Sequence, residues 1–271
     1  MVVENAQLIA RGRTAEVYSR NEGEVLKLFY DWCAPEWSSR EAEISRLVSS
    51  RGLPTPRCLE TVEINGRRGL VYERVRGPSM LSAMSRSPWL VMAQAKTFAE
   101  LHFRVHAAKG SGLRGVRTHL EAAIGKADIP TELRRKALAV LADLQDGTSL
   151  CHFDFHPDQV ILSGSGPVII DWMSALEGDP TADVARTIVL LQFATPPKAT
   201  WAYKQAINLV RSTFMRKYLR TYVRLAGPDT SNLVRKWMIP VAAARLRDEI
   251  ADERAALLRF LWRAHAAGGD A

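Results

Sequence analysis

Near Gly77 the spacing of apolar residues changes from a strand-like to a helical period, and this switch constrains the architecture more than any single motif. Before it, short apolar runs such as EVLKLF (24–29) and GLVYERV (69–75) are separated by turn signals at Asn21-Glu22-Gly23 and Asn65-Gly66, the pattern of strands joined by tight turns. One helix interrupts them over 38–50. Serines stand at its start, acidic residues occupy its early turns, Ala42, Ile44, Leu47 and Val48 are its apolar positions, and Gly52 with Pro54 stops it. Beyond Gly77 helical spacing dominates, over 89–108, over 131–144 and over 199–265, the last broken at Gly227-Pro228 and at Pro240. The pattern predicts an α+β chain with a small mixed lobe over 1–77 and a larger, mainly helical lobe over 78–271.

The exception in the second part is a pair of β-branched runs, Val160-Ile161-Leu162 and Val168-Ile169-Ile170, separated by SGSGP (163–167). This predicts a hairpin with a five-residue loop. If Leu162 opposes Val168, Gln159 falls opposite Asp171, and directly opposed side chains have Cβ atoms about 5 Å apart. Asp154 lies on the loop that leads into this hairpin.

Composition excludes several classes. The 271 residues are 47% apolar and 24% charged, suited to a globular chain with one large domain or two lobes. No run of about 18 uncharged apolar residues is present, so no membrane-spanning helix is expected, and MVVENAQLIARG lacks the basic start and apolar run of a secretory signal. A cytoplasmic location follows as the default. Cys33, Cys58 and Cys151 are odd in number and widely spaced, which argues against a disulfide framework or a structural zinc site. Residues 197–271 hold ten Arg and four Lys against four Asp and two Glu, which equals the whole chain's excess of +8. Without interleaved aromatics or a Cys/His finger, that excess describes solvated helix faces, or a surface for an anionic ligand, rather than a nucleic-acid binder.

The densest chemistry lies in HFDFHPDQVIL (152–162). His152, Asp154 and His156 alternate, so an extended segment would turn all three to one side, as the ligands of a metal hydrolase require. The other histidines, His102, His106, His119 and His265, lack ligand partners at suitable spacing, and the i,i+4 pair His102 and His106 suits packing. Alternatively one carboxylate, Asp154, accepts a proton while Asp171 and the amide oxygen of Gln159 offer the oxygen donors that magnesium prefers.

HFDFHPDQVIL followed by IIDW (169–172) resembles the catalytic signature of the aminoglycoside phosphotransferase and choline kinase family, H-x-D-x-H-x-x-N followed by a hydrophobic-x-D segment. The resemblance implies a protein-kinase-like two-lobed fold and transfer of the γ-phosphate of ATP, with magnesium, to a hydroxyl of a small-molecule acceptor. It implies Asp154 as the catalytic base, and Asp171 with Gln159 as the metal ligands. IARGRTAEVY (9–18) resembles the family's phosphate-covering turn, with Gly12 its only glycine. Lys27 matches the strand lysine that contacts phosphates, and Glu41, or Glu43 as the alternative, its paired glutamate. LVYERVRG (70–77) resembles the inter-lobe hinge, where the backbone from Glu73 to Val75 would meet adenine. In GDPTADVARTIVLL (178–191) Asp183 would brace the catalytic loop. Tryptophans are more often core residues than substrate platforms, and Trp201 and Trp237 are the candidates to line an acceptor pocket in the second lobe. The similarity runs from about Ile9 to Leu261.

Two positions depart from the family pattern. Gln159 replaces its metal-binding asparagine and adds a methylene, which leaves open a nucleotide-binding regulatory protein without efficient transfer. Phe153 stands where many members have glycine. The positive excess of the second lobe favours a neutral or anionic acceptor over a polycationic antibiotic.

Overall fold

The computed structural model describes residues 7–193 and 201–266. In chain order the elements are β1 (Leu8–Arg11), β2 (Ala15–Ser19), β3 (Glu24–Phe29), α1 (Pro35–Ser50), β4 (Cys58–Ile64), β5 (Arg67–Glu73), α2 (Met80–Arg86), α3 (Val91–Ala107), α4 (Val116–Lys126) and α5 (Thr131–Asp143). There follow β6 (Ser149–Cys151), β7 (Val160–Ser163), β8 (Gly166–Ile169), β9 (Leu176–Gly178), α6 (Pro180–Phe193), α7 (Trp201–Ala226), α8 (Thr230–Arg245) and α9 (Ala251–Ala266). The chain divides into two compact units, residues 1–82 with 158–174, and residues 83–157 with 175–271.

In the first unit an antiparallel sheet of order β1-β2-β3-β5-β4 carries α1, which packs on β4, β5 and the turn at Trp172–Ser174. Strand alternation divides its apolar residues between two faces. Leu26, Leu28 and Val71 pack with Tyr18, Val62 and Ile64 on one, whereas Phe29, Ala15 and Leu70 pack with Ala42 of α1 on the other. Helix α1 begins at Pro35, three residues before the predicted start. Proline occupies its first position, where a missing N–H costs nothing, and no serine side chain caps it.

The β7–β8 hairpin belongs to this unit and differs in register from the expected pairing. Val160 opposes Ile169 and Ile161 opposes Val168, and the pairing continues to Ser163 and Gly166, leaving a two-residue turn, Gly164-Ser165. The five-residue loop fails because Gly166 takes φ +120 and Ser163 Oγ donates to the Gly166 carbonyl at 2.6 Å, extending the ladder into the predicted loop. Gly77 has φ +150, and a Cβ there would sit 2.2 Å from the Leu162 carbonyl oxygen. Only glycine lets the chain pass so close to β7.

In the second unit α3 packs along α7, and α8 lies against α4, α5 and α6. Trp237 is fully buried in α8, so it is a core residue and not part of an acceptor pocket; the side chain of Trp201 lies outside the described residues. Pro240 sits inside α8 rather than ending it. An interior proline costs about 3 kcal/mol, and burial of Trp237, Pro240, Val241, Ala242 and Ala243 outweighs that local preference. Two three-residue strands, β6 and β9, pair antiparallel and hold the chain on either side of the HFDFHPDQVIL segment and its hairpin. No helix among the described residues is long and apolar enough to cross a membrane.

Candidate active site

On β3, Lys27 points to the same face as Phe29, the face that carries α1. There its ammonium donates to both carboxylate oxygens of Glu41, at 2.7 and 2.9 Å, and to Asp171 Oδ1 at 3.1 Å. Glu41 is buried and also accepts from Tyr72 Oη at 3.0 Å. Glu43, two residues on, is exposed. A helix turns about 200° in two residues, so only one of the two can face the sheet. Burial alone would lower the Lys27 pKa, but the carboxylates of Asp171 and Glu41 outweigh it and raise the pKa above the usual lysine value. The lysine is therefore held as a cation beside two carboxylates.

Asp171 follows β8 with φ +60, a left-handed conformation that Asp tolerates better than most residues. In the observed register Gln159 opposes Ile170, whose N–H donates to the Gln159 carbonyl at 2.9 Å. The strand ladder therefore does not set Gln159 against Asp171. They meet nonetheless: the backbone at Asp171 leaves the strand alternation, and Gln159 Nε2 donates to Asp171 Oδ2 at 3.3 Å. The extra methylene of Gln159 spans the gap that the register leaves.

Gly12 lies between β1 and β2, its N–H donating to the Ala15 carbonyl at 2.8 Å. Glu73 ends β5, and its carboxylate accepts from the N–H, Nε and Nη2 of Arg57. Val75 makes no backbone hydrogen bond among the described residues.

In the second unit the segment after β6 is not extended. Phe153 has φ +62, which breaks the alternation expected of His152, Asp154 and His156. His152 is fully buried, with its Nδ1 accepting the Asp154 N–H at 3.3 Å. Asp154 and His156 remain partly exposed, 3.8 Å apart. The one-sided metal triad therefore does not form.

Asp183 on α6 fixes this loop. Its Oδ2 accepts the His152 N–H at 2.5 Å and its Oδ1 the Phe153 N–H at 3.0 Å. His102 and His106 also have a partner, contrary to the spacing argument. His106 Nε2 donates to Asp183 Oδ2 at 3.2 Å, and His102 Nε2 lies 3.1 Å from the same oxygen, outside hydrogen-bonding direction. Tyr218 and Tyr222 bond the two Nδ1 atoms at 2.7 and 2.6 Å. Sequence reasoning missed this network, although matching i,i+4 spacing of His102/His106 and Tyr218/Tyr222 signals two helices stacked pair on pair. His102, His106 and Asp183 are close enough to form a metal-type cluster, but Asp183 already accepts two backbone N–H groups, which makes it a hydrogen-bonding hub.

These positions fall within the span recognised by a family model. The model of the phosphotransferase enzyme family matches residues 5–228. The chain belongs to that family. This phosphotransferase has no match among curated proteins by sequence. Its fold is shared with a thermostable mutant of aminoglycoside phosphotransferase APH(4)-Ia, solved in ternary complex with AMP-PNP and hygromycin B (TM-score 0.67, 16% identity, 97% of this chain and 92% of that one). It is also shared with an aminoglycoside-3'-phosphotransferase of type VIII (0.60, 20%, 90% and 93%) and with macrolide 2'-phosphotransferase MphH from Brachybacterium faecium (0.56, 18%, 95% and 92%). The phosphotransferase is thus a small-molecule kinase with a kinase-like α+β fold.

Burial, reinforced by the neighbouring His106, holds the His102 pKa down to about 4 from 6.5. A histidine kept neutral in the folded state contributes no penalty above pH 6.5, and the protein loses stability as pH falls from 6.5 toward 4, because only the unfolded chain gains the proton. At about 1.4 kcal/mol per unit this loss is about 3 kcal/mol. Urea denaturation of wild-type and His102→Gln protein across this range is expected to show a shallower pH dependence in the variant; parallel curves would refute the assignment.

Proposed function

We propose that the protein transfers the γ-phosphate of ATP, with magnesium, to a hydroxyl of a small molecule, with Asp154 as catalytic base and Asp171 and Gln159 as metal ligands. The observation that carries this reading is the cluster in which Lys27, half-buried and cationic, meets Glu41 and Asp171. A cation held in place at a site of phosphate charge is what phosphoryl transfer demands, since its catalysis rests on positioning and charge neutralisation. The uncommitted backbone of Val75 supports the hinge as the adenine contact, and Gly12 supports the β1–β2 turn as the phosphate cover. Neighbours solved with AMP-PNP or ATP favour ATP, while others hold GDP.

The donors present fit magnesium: a partly exposed carboxylate on Asp171 and an amide on Gln159 that can turn its oxygen toward the same point. When bound, the ion would neutralise phosphate charge. Asp154 would orient the acceptor hydroxyl and take its proton, while Asp183 keeps the loop bearing Asp154 in one conformation.

The test is transfer of label from γ-32P-ATP to a panel of sugars, amino alcohols, nucleosides and antibiotics, with and without magnesium. Labelled acceptor only with magnesium supports the proposal; nucleotide binding without labelling of any compound supports the regulatory alternative. Because Gln159→Asn shortens the side chain that meets Asp171 at 3.3 Å, it is expected to raise the magnesium concentration for half-maximal activity about tenfold, the scale of lost ligand support. A gain in activity would show instead that glutamine attenuates the native site.

A further inference from the structure

Four arginines gather around the loop that bears Asp154, all within the second unit. Phe153 adopts the left-handed φ that a bulky side chain rarely takes, and its ring is buried. On this ring stand the His119 imidazole, edge-on with centroids 5.4 Å apart, and the Arg186 guanidinium at 5.9 Å. Arg186 Nε also donates to the Phe153 carbonyl at 3.3 Å. The arginine is thus fixed to the residue that precedes Asp154.

The nearby carboxylates are already engaged. Arg245 binds Glu253 through Nε and Nη2 at 2.7 and 2.9 Å and Asp248 at 2.8 Å, and Arg186 lies 3.7 Å from the same Asp248. Arg114 and Arg247 are different. Both are exposed, Arg247 lies on the turn Leu246–Asp248 that packs on α4, the helix bearing His119, and among the described residues neither has a carboxylate within ion-pair distance. The Arg114 guanidinium donates to the carbonyl of Thr118, the residue before His119, at 3.0 Å. His119 lies among them with its pKa lowered to about 4, chiefly by burial and then by these arginines, so at neutral pH it is an uncharged hydrogen-bonding group.

We infer that the acceptor carries an anionic group, a carboxylate or a phosphate ester, and that Arg247 and Arg114 receive it beside His119. The inference rests on the reading of Asp154 as the residue that addresses the acceptor hydroxyl. Planar guanidinium forks suit such oxyanions, and a polycationic acceptor would meet repulsion here. Phe153 thereby gains a role that glycine could not fill: it supports both Arg186 and His119.

Two independent experiments test it. The first compares hydroxy acids and phosphate esters with their parent neutral and amino alcohols as acceptors, for the wild-type, Arg247→Glu and Arg114→Glu proteins. The best acceptor is expected to be anionic, and each charge reversal to raise its KM about tenfold or more, the scale of a lost charge-assisted hydrogen bond, while the ATP KM is preserved. A neutral or cationic best acceptor, or a loss in kcat shared by every acceptor, overturns the inference. The second follows the His119 imidazole by NMR during titration with inorganic phosphate, which needs no turnover. Saturable binding should shift the His119 pKa upward in the wild-type protein and not in Arg247→Glu; absence of a wild-type shift overturns the anion site. Failure of the kinase reading is seen separately, as hydrolysis or transfer of the γ-phosphate that does not depend on Asp154.

Discussion

Asp154→Ala is expected to reduce acceptor phosphorylation by about two to four orders of magnitude, the contribution of a positioned general base. Nucleotide affinity should hardly change, because the residues proposed to position phosphates, Lys27, Glu41 and Asp171, lie elsewhere in the chain. The variant should also fold normally. The Asp154 side chain is partly exposed and His156 Nε2 lies 3.8 Å from its carboxylate, so its removal leaves no buried donor unpaired, and such surface changes usually stay within about 0.5 kcal/mol. Steady-state kinetics together with calorimetric titration of ATP separate the two effects. Loss of nucleotide affinity in parallel with activity would place Asp154 in nucleotide binding instead.

Asp183→Asn is expected to have the largest effect on stability, about 2–5 kcal/mol from buried donors left without an acceptor. The carboxylate is an acceptor-only group, and its oxygens face two backbone N–H groups and the His106 imidazole. An asparagine amide of the same shape must turn N–H against at least one of these donors, at a site with no exposure to water. The burial of Asp183 disfavours its charge, yet the histidines and donors around it more than offset this and hold the carboxyl well below the usual range. Its contribution to stability is therefore present above the ordinary carboxylate pKa and is lost only as pH falls through the depressed folded value. Urea denaturation at pH 7 measures the difference. A change below about 1 kcal/mol would mean that the network around His152 and Phe153 is held by other contacts.

Much of the first unit was legible because its residues obey simple periods. Lys27 lies between Leu26 and Leu28, so alternation alone turns it to the opposite face, and a single helix after the strand limits its partner to one of two glutamates. The helical period could not choose between Glu41 and Glu43 without knowing which face of α1 meets the sheet. The hairpin was legible as a hairpin but not in register: a run of Ser and Gly allows several turns, and Ser163 decides among them by a side-chain bond that no pattern reveals. The Gln159–Asp171 meeting was anticipated for a reason that proved wrong, since it depends on the backbone at Asp171 rather than on strand pairing.

The second unit was harder to read for different reasons. Strands β6 and β9 are three residues long, too short to display a period. The direction of His152 depends on a left-handed Phe153, a conformation that propensity argues against. Pro240 signals a helix end, but dense packing around α8 overrides it. His102 and His106 had their polar partners on α6 and α7, so distance along the chain concealed a network that the matched tyrosine spacing hinted at.

The most direct measurement of the central claim is transfer of label from γ-32P-ATP to hydroxyl acceptors by wild-type and Asp154→Ala protein, side by side at saturating magnesium. The predicted result is labelled acceptor from the wild type, falling to background in the variant while both bind ATP alike. Equal labelling by the two proteins would contradict the assignment.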